Sequence, residues 1–185
     1  MLSVYINPET VVVNGKALAH ENKGSELLVE LYRNHVGDYM KFFKMDALCR
    51  LGFVASELLL RQEGTPRFVP REDRAVILFN RCGSYQADCS YQATIQDPAN
   101  FFPSPSAFVY TLPNIVTGEI ALRNKYYGET SFMVLPDDEP EVIEREIRNA
   151  FLDPMTESVL GGWLDCSDEE HFEARLYLYE KNNVI

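Results

Sequence analysis

No two cysteines of this chain have the spacing of a metal or redox motif, its histidines do not cluster, and no apolar run approaches the length of a membrane span. Cys49, Cys82, Cys89 and Cys166 are scattered, as are His20, His35 and His171. No local ligand set for zinc exists, and the cysteines read as reduced, packed small hydrophobes. No metal and no cofactor are expected. The first twenty residues lack both the basic and the continuous apolar segment of a secretory signal, so the reading is cytoplasmic. Basic residues are a minority, 17 Lys+Arg against 28 Asp+Glu, for a net charge of −11. That balance disfavours nucleic acid and anionic membranes as partners, because long-range repulsion opposes the encounter. Repeats, low-complexity tracts and linkers are absent too. The composition, 46% hydrophobic and 24% charged, is that of an ordinary globular protein, and residues 1–185 read as one domain.

What is present is an alternation of strand-like and helix-like segments. "SVYINPETVVV" reads as a first strand bent around Pro8. "GSELLVELYRNHVG" has helical spacing, with Leu27, Leu28, Leu31 and Tyr32 on one side. "KMDALCRLGFVASELLLRQEG" is a longer helix closing at Gly64. The apolar run "RAVILFN" predicts a strand covered on both faces. A polar helix over "GSYQADCSYQATI", with Ser84 as its cap, leads to the proline loop "DPANFFPSPS". Pro113 should kink the next helix, "AFVYTLPNIVTGEIALRNKYYG", or mark its late start.

The strand "ETSFMVL" is followed by the helix "DDEPEVIEREIRNAFLDP", with acids in its first turn where the helix dipole favours them. "SVLGGWLDC" and "FEARLYLYE", joined by "SDEEH", form an antiparallel hairpin whose last strand is expected at the sheet edge. The order predicts an α/β fold: a mostly parallel five-stranded sheet, an antiparallel C-terminal edge strand, and helices on both faces. Arg61, Arg67, Arg71 and Arg74 alternate with Glu63, Glu72 and Asp73 and read as solvated charge.

Three stretches, "KMDALCRLGFVASELLL", "FPSPSAFVYTLPNIVTGEIALRNKYYGET" and "VLGGWLD", resemble in this order the N-terminal half of the β-ketoacyl synthases, which have the thiolase fold. Pro113, Asn114, Gly118, Ala121 and Gly128 fall at matching places, and the likeness covers most of residues 40 to 180. It implies a single half of a thiolase-like fold. Gly118 and Ala121, small and three apart, would let another backbone approach. Asn114, Gly118 and Phe108 are candidate pocket or interface positions, joined by Leu178 in the last strand.

In that family a reactive cysteine follows the strand launched at the position of Gly128. It stands at a helix N-terminus, where dipole and amides stabilise thiolate and oxyanion. Here the elbow reads "LPDDEP", with Asp137 or Asp138 in place of the sulfur. A carboxylate so placed is held as an anion and is a poor nucleophile; one of the two is expected to cap the helix that begins near Glu139. No catalytic residue is assigned. The resemblance also puts the family's catalytic histidines in a C-terminal half that this sequence does not contain. The helix after the elbow carries an apolar stripe, Val142, Ile143, Ile147, Ala150 and Phe151. Its other face is charged, with Glu141, Glu144, Arg145, Glu146 and Arg148. Burying that face unpaired would exceed a domain's net stability of about 5–15 kcal/mol, so it should meet water or a charged partner.

The resemblance implies a non-catalytic, ketosynthase-like accessory or scaffold protein of bacterial fatty-acid, polyketide or aryl-polyene assembly. One alternative is an acyltransferase of the 3-oxoacyl-carrier-protein synthase type, active only with a partner chain, or a hydrolase using Asp137, Asp138 and His171. Another is a structural homodimer without ligand, built from the aromatic segments "SYQADCSYQ", "FFPSPSAFVY" and "RLYLYE". The expected partner is a second copy pairing through residues 172–180, or a ketosynthase-related chain. An acyl carrier protein is a further candidate, against which the charge of −11 counts.

Overall fold

A mixed sheet of seven strands runs through the protein in the computed structural model, which describes residues 1–99 and 102–184. The loop reading at Asn100 and Phe101 lies outside the described residues. The chain opens with a meander, β1 (Leu2–Ile6), β2 (Val11–Val13) and β3 (Lys16–Ala17). Two helices follow, α1 (Gly24–His35) and α2 (Ala47–Leu60), then β4 (Arg74–Asn80). Next come α3 (Tyr85–Ile95), α4 (Pro105–Val109), α5 (Ile115–Asn124), β5 (Thr130–Val134) and α6 (Pro140–Ala150). The hairpin of β6 (Ser158–Cys166) and β7 (Phe172–Glu180) and a short α7 (Lys181–Val184) complete it. Pro113 falls between α4 and α5, so it marks a late helix start.

The strand order is β3-β2-β1-β7-β6-β4-β5. Only β4–β5 and β4–β6 are parallel, so the expected mostly parallel sheet of five strands is corrected to a mixed sheet of seven. The expected bent strand is a hairpin instead. Asn7 turns the chain, its side chain accepting from the amides of Glu9 and Thr10 at 2.9 and 2.7 Å. A second hairpin turns on Asn14 and Gly15, with φ of 49° and 74°, the left-handed pair that a two-residue loop requires.

This meander overturns a second expectation. β7 does not lie at the edge: β6 bonds one side of it and β1 the other, with Leu2 opposite Leu178 and Val4 opposite Leu176. The reason is apolar. Ala174, Leu176 and Leu178 face the helical layer, and Val4 and Ile6 continue the same buried surface outward. A homodimer through residues 172–180 therefore has no free ladder to use.

Helices cover both faces unequally. α1, α2 and α5 fill one side. α2 is buried at every position except Arg50, and its N-terminus is capped by Asp46, which accepts from the Cys49 amide at 2.9 Å. On the other side, among the described residues, α6 packs on Ala75, Ile77 and Phe79 of β4 and Val159 and Trp163 of β6. β4 is buried throughout, as its composition requires of a strand covered on both faces. Ser84 begins α3 without capping it, because its hydroxyl donates to the Thr111 carbonyl at 2.6 Å and ties the α3 end to the α4–α5 link.

The interleaved charges are not all solvated. Arg74 is 1% exposed. It donates to both Glu63 oxygens at 2.8 and 2.6 Å, to the Ser158 hydroxyl at 2.8 Å and to the Tyr126 hydroxyl at 3.2 Å. Glu57, equally buried, accepts from Arg67 at 2.6 Å, with Arg123 Nε at 3.5 Å. Both clusters fasten the loop between α2 and β4 to the core.

Two glycines carry the close approaches. A Cβ on Gly52 of α2 would lie 2.4 Å from Val116 and 2.8 Å from Leu164, whereas one on Gly118 would meet nothing within 4 Å. The close contact between α2 and α5 thus depends on Gly52, and the role expected of Gly118 is corrected. Gly128 meets the Arg74 carbonyl, 2.4 Å from where its Cβ would stand, which is why a glycine launches β5.

Two outcomes follow from this packing. Gly52→Ala should lower stability by about 1–3 kcal/mol through overpacking. Gly118→Ala should raise it by about 0.5–1 kcal/mol through helix propensity. Urea midpoints ranked the other way would contradict the assignment. The second outcome concerns Glu63. Burial alone would raise its carboxyl, but the hydrogen bond and charge of Arg74 and the charge of Arg71 hold it below its usual value. Such a group binds fewer protons folded than unfolded, so its contribution is complete above the unfolded value and is lost as pH falls through the folded one. Glu63→Gln should cost about 3 kcal/mol near pH 7, by leaving Arg74 buried without its partner. That difference should shrink as pH falls through the lowered folded value of Glu63, where the parent also loses its charge; a pH-independent gap would contradict the pairing.

Candidate functional site

The parallel strands β4, β5 and β6 direct their C-terminal ends to one rim of the sheet, where α/β folds place their chemistry. Leu135 donates to the Asn80 carbonyl at 2.8 Å, holding the end of β5 against β4. The side chain of Asn80, fully buried, closes the following loop on Gly83 with bonds of 2.8 and 2.9 Å. The amides of Arg81 and Cys82 then donate to Asp165 at the end of β6, at 3.1 and 3.2 Å. The rim is rigid because backbone donors and one carboxylate lock three strand ends together.

Asp137 and Asp138 sit in the elbow between β5 and α6, where the resemblance puts them, but neither caps the helix. The N-cap is Glu139, with no side-chain cap bond. Asp137 accepts from the Asp138 amide at 2.9 Å. Asp138 reaches across the sheet to an ion pair with Arg175 of β7, which also has Glu173 at 2.8 Å. The expected cap is thus corrected to a cross-link between elbow and sheet. Pro140 at the helix start needs no amide partner, which lowers the demand for a cap.

No activated nucleophile stands at this rim among the described residues. Cys82 is the nearest thiol, its sulfur 3.9 Å from Asp165. Burial and the Asp165 carboxylate push its pKa up, with Arg81 as a weaker opposing influence, so it is held as a thiol. His171 bonds Asp168 at 2.9 Å in the exposed β6–β7 turn. It shares a shallow hollow of about 300 Å³ with Arg81 and Asp165, while Asp138 lines a different cleft beside α6. The acid–histidine set required for hydrolysis is not assembled.

The remaining candidates do not converge. Leu178 is core, between Leu2 and Leu160 on the α2 face. Phe108 is half exposed on α4, its ring edge-on to Tyr91 with centroids 5.4 Å apart. Asn114 begins α5 through its carbonyl, which accepts from Gly118 and Thr117 at 3.2 and 2.8 Å. What sequence reasoning missed is the open side of β5. Thr130–Val134 carries no charge and, among the described residues, pairs only with β4. Tyr127, Leu122 and Val134 nearby are exposed, as are Phe108 and Leu112 of the α4 region. The signal was present in "ETSFMVL" but could be read only once β7 was known to be interior.

The mixed sheet with helices on both faces has the fold of ketosynthase and chain length factor proteins. One solved structure that it resembles is the ishigamide ketosynthase/chain length factor, with a TM-score of 0.62 and 15% identity over 81% of this chain and 48% of that one. Another is the ketosynthase ApeO in complex with its chain length factor ApeC from Xenorhabdus doucetiae, with a TM-score of 0.63 and 14% identity over 96% of this chain and 76% of that one. The chain spans about half the length of the first. No family model and no curated protein sequence matches it. Among the described residues no helix is long and apolar enough to cross a membrane.

The Asp138–Arg175 pair is half-buried, so a coupling of about 1 kcal/mol is expected between Asp138→Asn and Arg175→Met in a double-mutant cycle. Asp137→Asn should show no coupling to Arg175. Absence of coupling at Asp138 would contradict the cross-link.

Proposed function

We propose that this chain is a cytoplasmic, non-catalytic partner of a ketosynthase in bacterial acyl-chain assembly, and that it pairs with that ketosynthase along the free edge of β5. The observation that carries the reading is the edge itself. Soluble proteins protect long open edges with charge, proline or a bulge, because unpaired strands invite another chain. The opposite edge is protected: β3 is only Lys16–Ala17, and lysine is a common guard. β5 has five residues, none charged. Because Leu135 donates inward to β4, strand alternation turns the amides of Phe132 and Val134 outward.

The choice of partner rests on charge and fold. Two copies, each carrying −11, repel one another on approach, so a different chain is favoured over self-pairing. A solved structure of similar fold is described as a ketosynthase in complex with its chain length factor. The absence of a thiol from the elbow, and the protonated state of Cys82, support leaving the chemistry to the partner. The charged outer face of α6, where Glu141, Glu144, Arg145 and Arg148 are exposed, stays in water in this arrangement.

Co-expression with a bacterial acyl-chain ketosynthase, followed by light scattering, tests the reading. A one-to-one heterodimer is expected. Val134→Pro removes an outward amide at an exposed position, so it should abolish the heterodimer while leaving the melting temperature of the isolated chain nearly unchanged. Cys82→Ala should leave product formation by the pair unchanged. A stable homodimer indifferent to the ketosynthase, or loss of product with Cys82→Ala, would contradict it.

A further inference from the structure

On the sheet face opposite α2, α6 packs against β4 and β6, and β7 beside it turns Arg175, Tyr177 and Tyr179 to the same side. Across the ladder Tyr177 faces Gly161, which adds no side chain of its own. Space is therefore left between β7 and the flank of α6, a cleft of about 460 Å³. That is the size of a small-molecule site, for which about 300–1,000 Å³ is usual.

Charge in the cleft is already compensated. Asp138 and Arg175 both line it and pair with each other, and Arg175 has Glu173 as a second partner. Glu144 is paired with Arg148, one helical turn on. Met1 also lines the cleft but is exposed, so water and salt screen its ammonium. An ionic ligand would have to leave water without gaining a free counter-ion, which is costly.

What is free is hydrogen bonding, over an apolar floor. Ile143, Ile147 and Trp163 make that floor. Trp163 is only 5% exposed, yet its indole N–H has no hydrogen-bond partner among the described residues. A buried tryptophan usually finds one. The hydroxyls of Tyr177 and Tyr179 have none either, and their rings stand 5.9 Å apart at 55° to one another. Burial, then Tyr177 and the Glu144 carboxylate, hold the Tyr179 phenol above its ordinary pKa, so it keeps its proton and remains a donor. Three donors without acceptors thus line one apolar cleft.

We infer that this cleft binds a small, neutral, flat apolar molecule carrying a carbonyl group. The body packs on Trp163, Ile143 and Ile147, and the carbonyl accepts from the indole N–H or the tyrosine hydroxyls. A carbonyl oxygen accepts without bringing a charge, and free donors in a charge-balanced cleft select for that combination.

The emission of Trp163, the only tryptophan of the chain, reports on the site without a label. Three probes of similar shape separate charge from acceptor: 3-phenylpropionamide, the anionic 3-phenylpropionate and the cationic 3-phenylpropylammonium. A saturable change with the amide is expected, at an affinity about tenfold or more above that of either ion. Combining Tyr177→Phe with Tyr179→Phe keeps both rings and should weaken the amide several-fold, while leaving the carbonyl-free propylbenzene unchanged. Arg175→Met strips Asp138 of its counter-ion and should raise the affinity of the ammonium relative to the amide. The assignment would be overturned by no saturable response to any probe, by tightest binding of either ion, by an amide affinity indifferent to loss of both hydroxyls, or by a selectivity unmoved by Arg175→Met. None of these results depends on the edge of β5, so this site and the ketosynthase pairing stand or fall separately.

Discussion

The ladder between β1 and β7 decides what the rest of this molecule can do. By pairing with the outer side of the last strand, β1 converts an edge into the middle of the sheet and leaves β5, at the far side, as the open margin. Its driving force is burial: Val4 and Ile6 extend the surface made by Ala174, Leu176 and Leu178 under α2. At about 25 cal/mol per Å² of apolar surface, two such side chains contribute several kcal/mol, enough to decide between competing edges. The continuing meander then ends in a short strand with a lysine, which closes that side to further pairing.

A second constraint is the pair of buried charge clusters. Arg74 begins β4 and is held by Glu63, Ser158 and Tyr126, so it joins the end of the α2 loop, the start of β6 and the turn before β5. An ion pair of this kind adds little net stability, since desolvation opposes the attraction, but removal of one partner is costly. Its effect is to fix register. The Arg74 carbonyl also closes on Gly128, so the same residue sets where β5 starts. The elbow is fixed at the other end of β5 by the Leu135–Asn80 bond and by Asp138 on Arg175.

Local chemistry was legible in the sequence and long-range pairing was not. The uniform apolarity of "RAVILFN", the spacing of Leu27, Leu28 and Leu31, the amphipathic stripe of α6 and the break at Pro113 each carry their own signal. So did the β6–β7 hairpin. Asn14–Gly15 also carries one, a two-residue turn pair that marks the hairpin between β2 and β3. Gly118 and Gly52 look alike in sequence, and only the neighbours of each separate them. Arg74 and Glu63 read as solvated because alternating charge usually is. At the elbow, the position of Asp137 and Asp138 was legible through the resemblance, but the partner of Asp138 lies 37 residues on, beyond any local pattern. Trp163 lay in a quoted strand, yet nothing local showed that α6 would leave a cleft beside it.

The central claim is that β5 is the docking edge and β7 is not, and amide hydrogen exchange separates the two strands directly. In the isolated chain the amides of Phe132 and Val134 should exchange quickly while those of β7, bonded on both sides, are protected. Addition of the ketosynthase should slow exchange in β5 and leave β7 as it was. Protection arising in β7 on complex formation, or β5 amides already protected in the isolated monomer, would contradict the account.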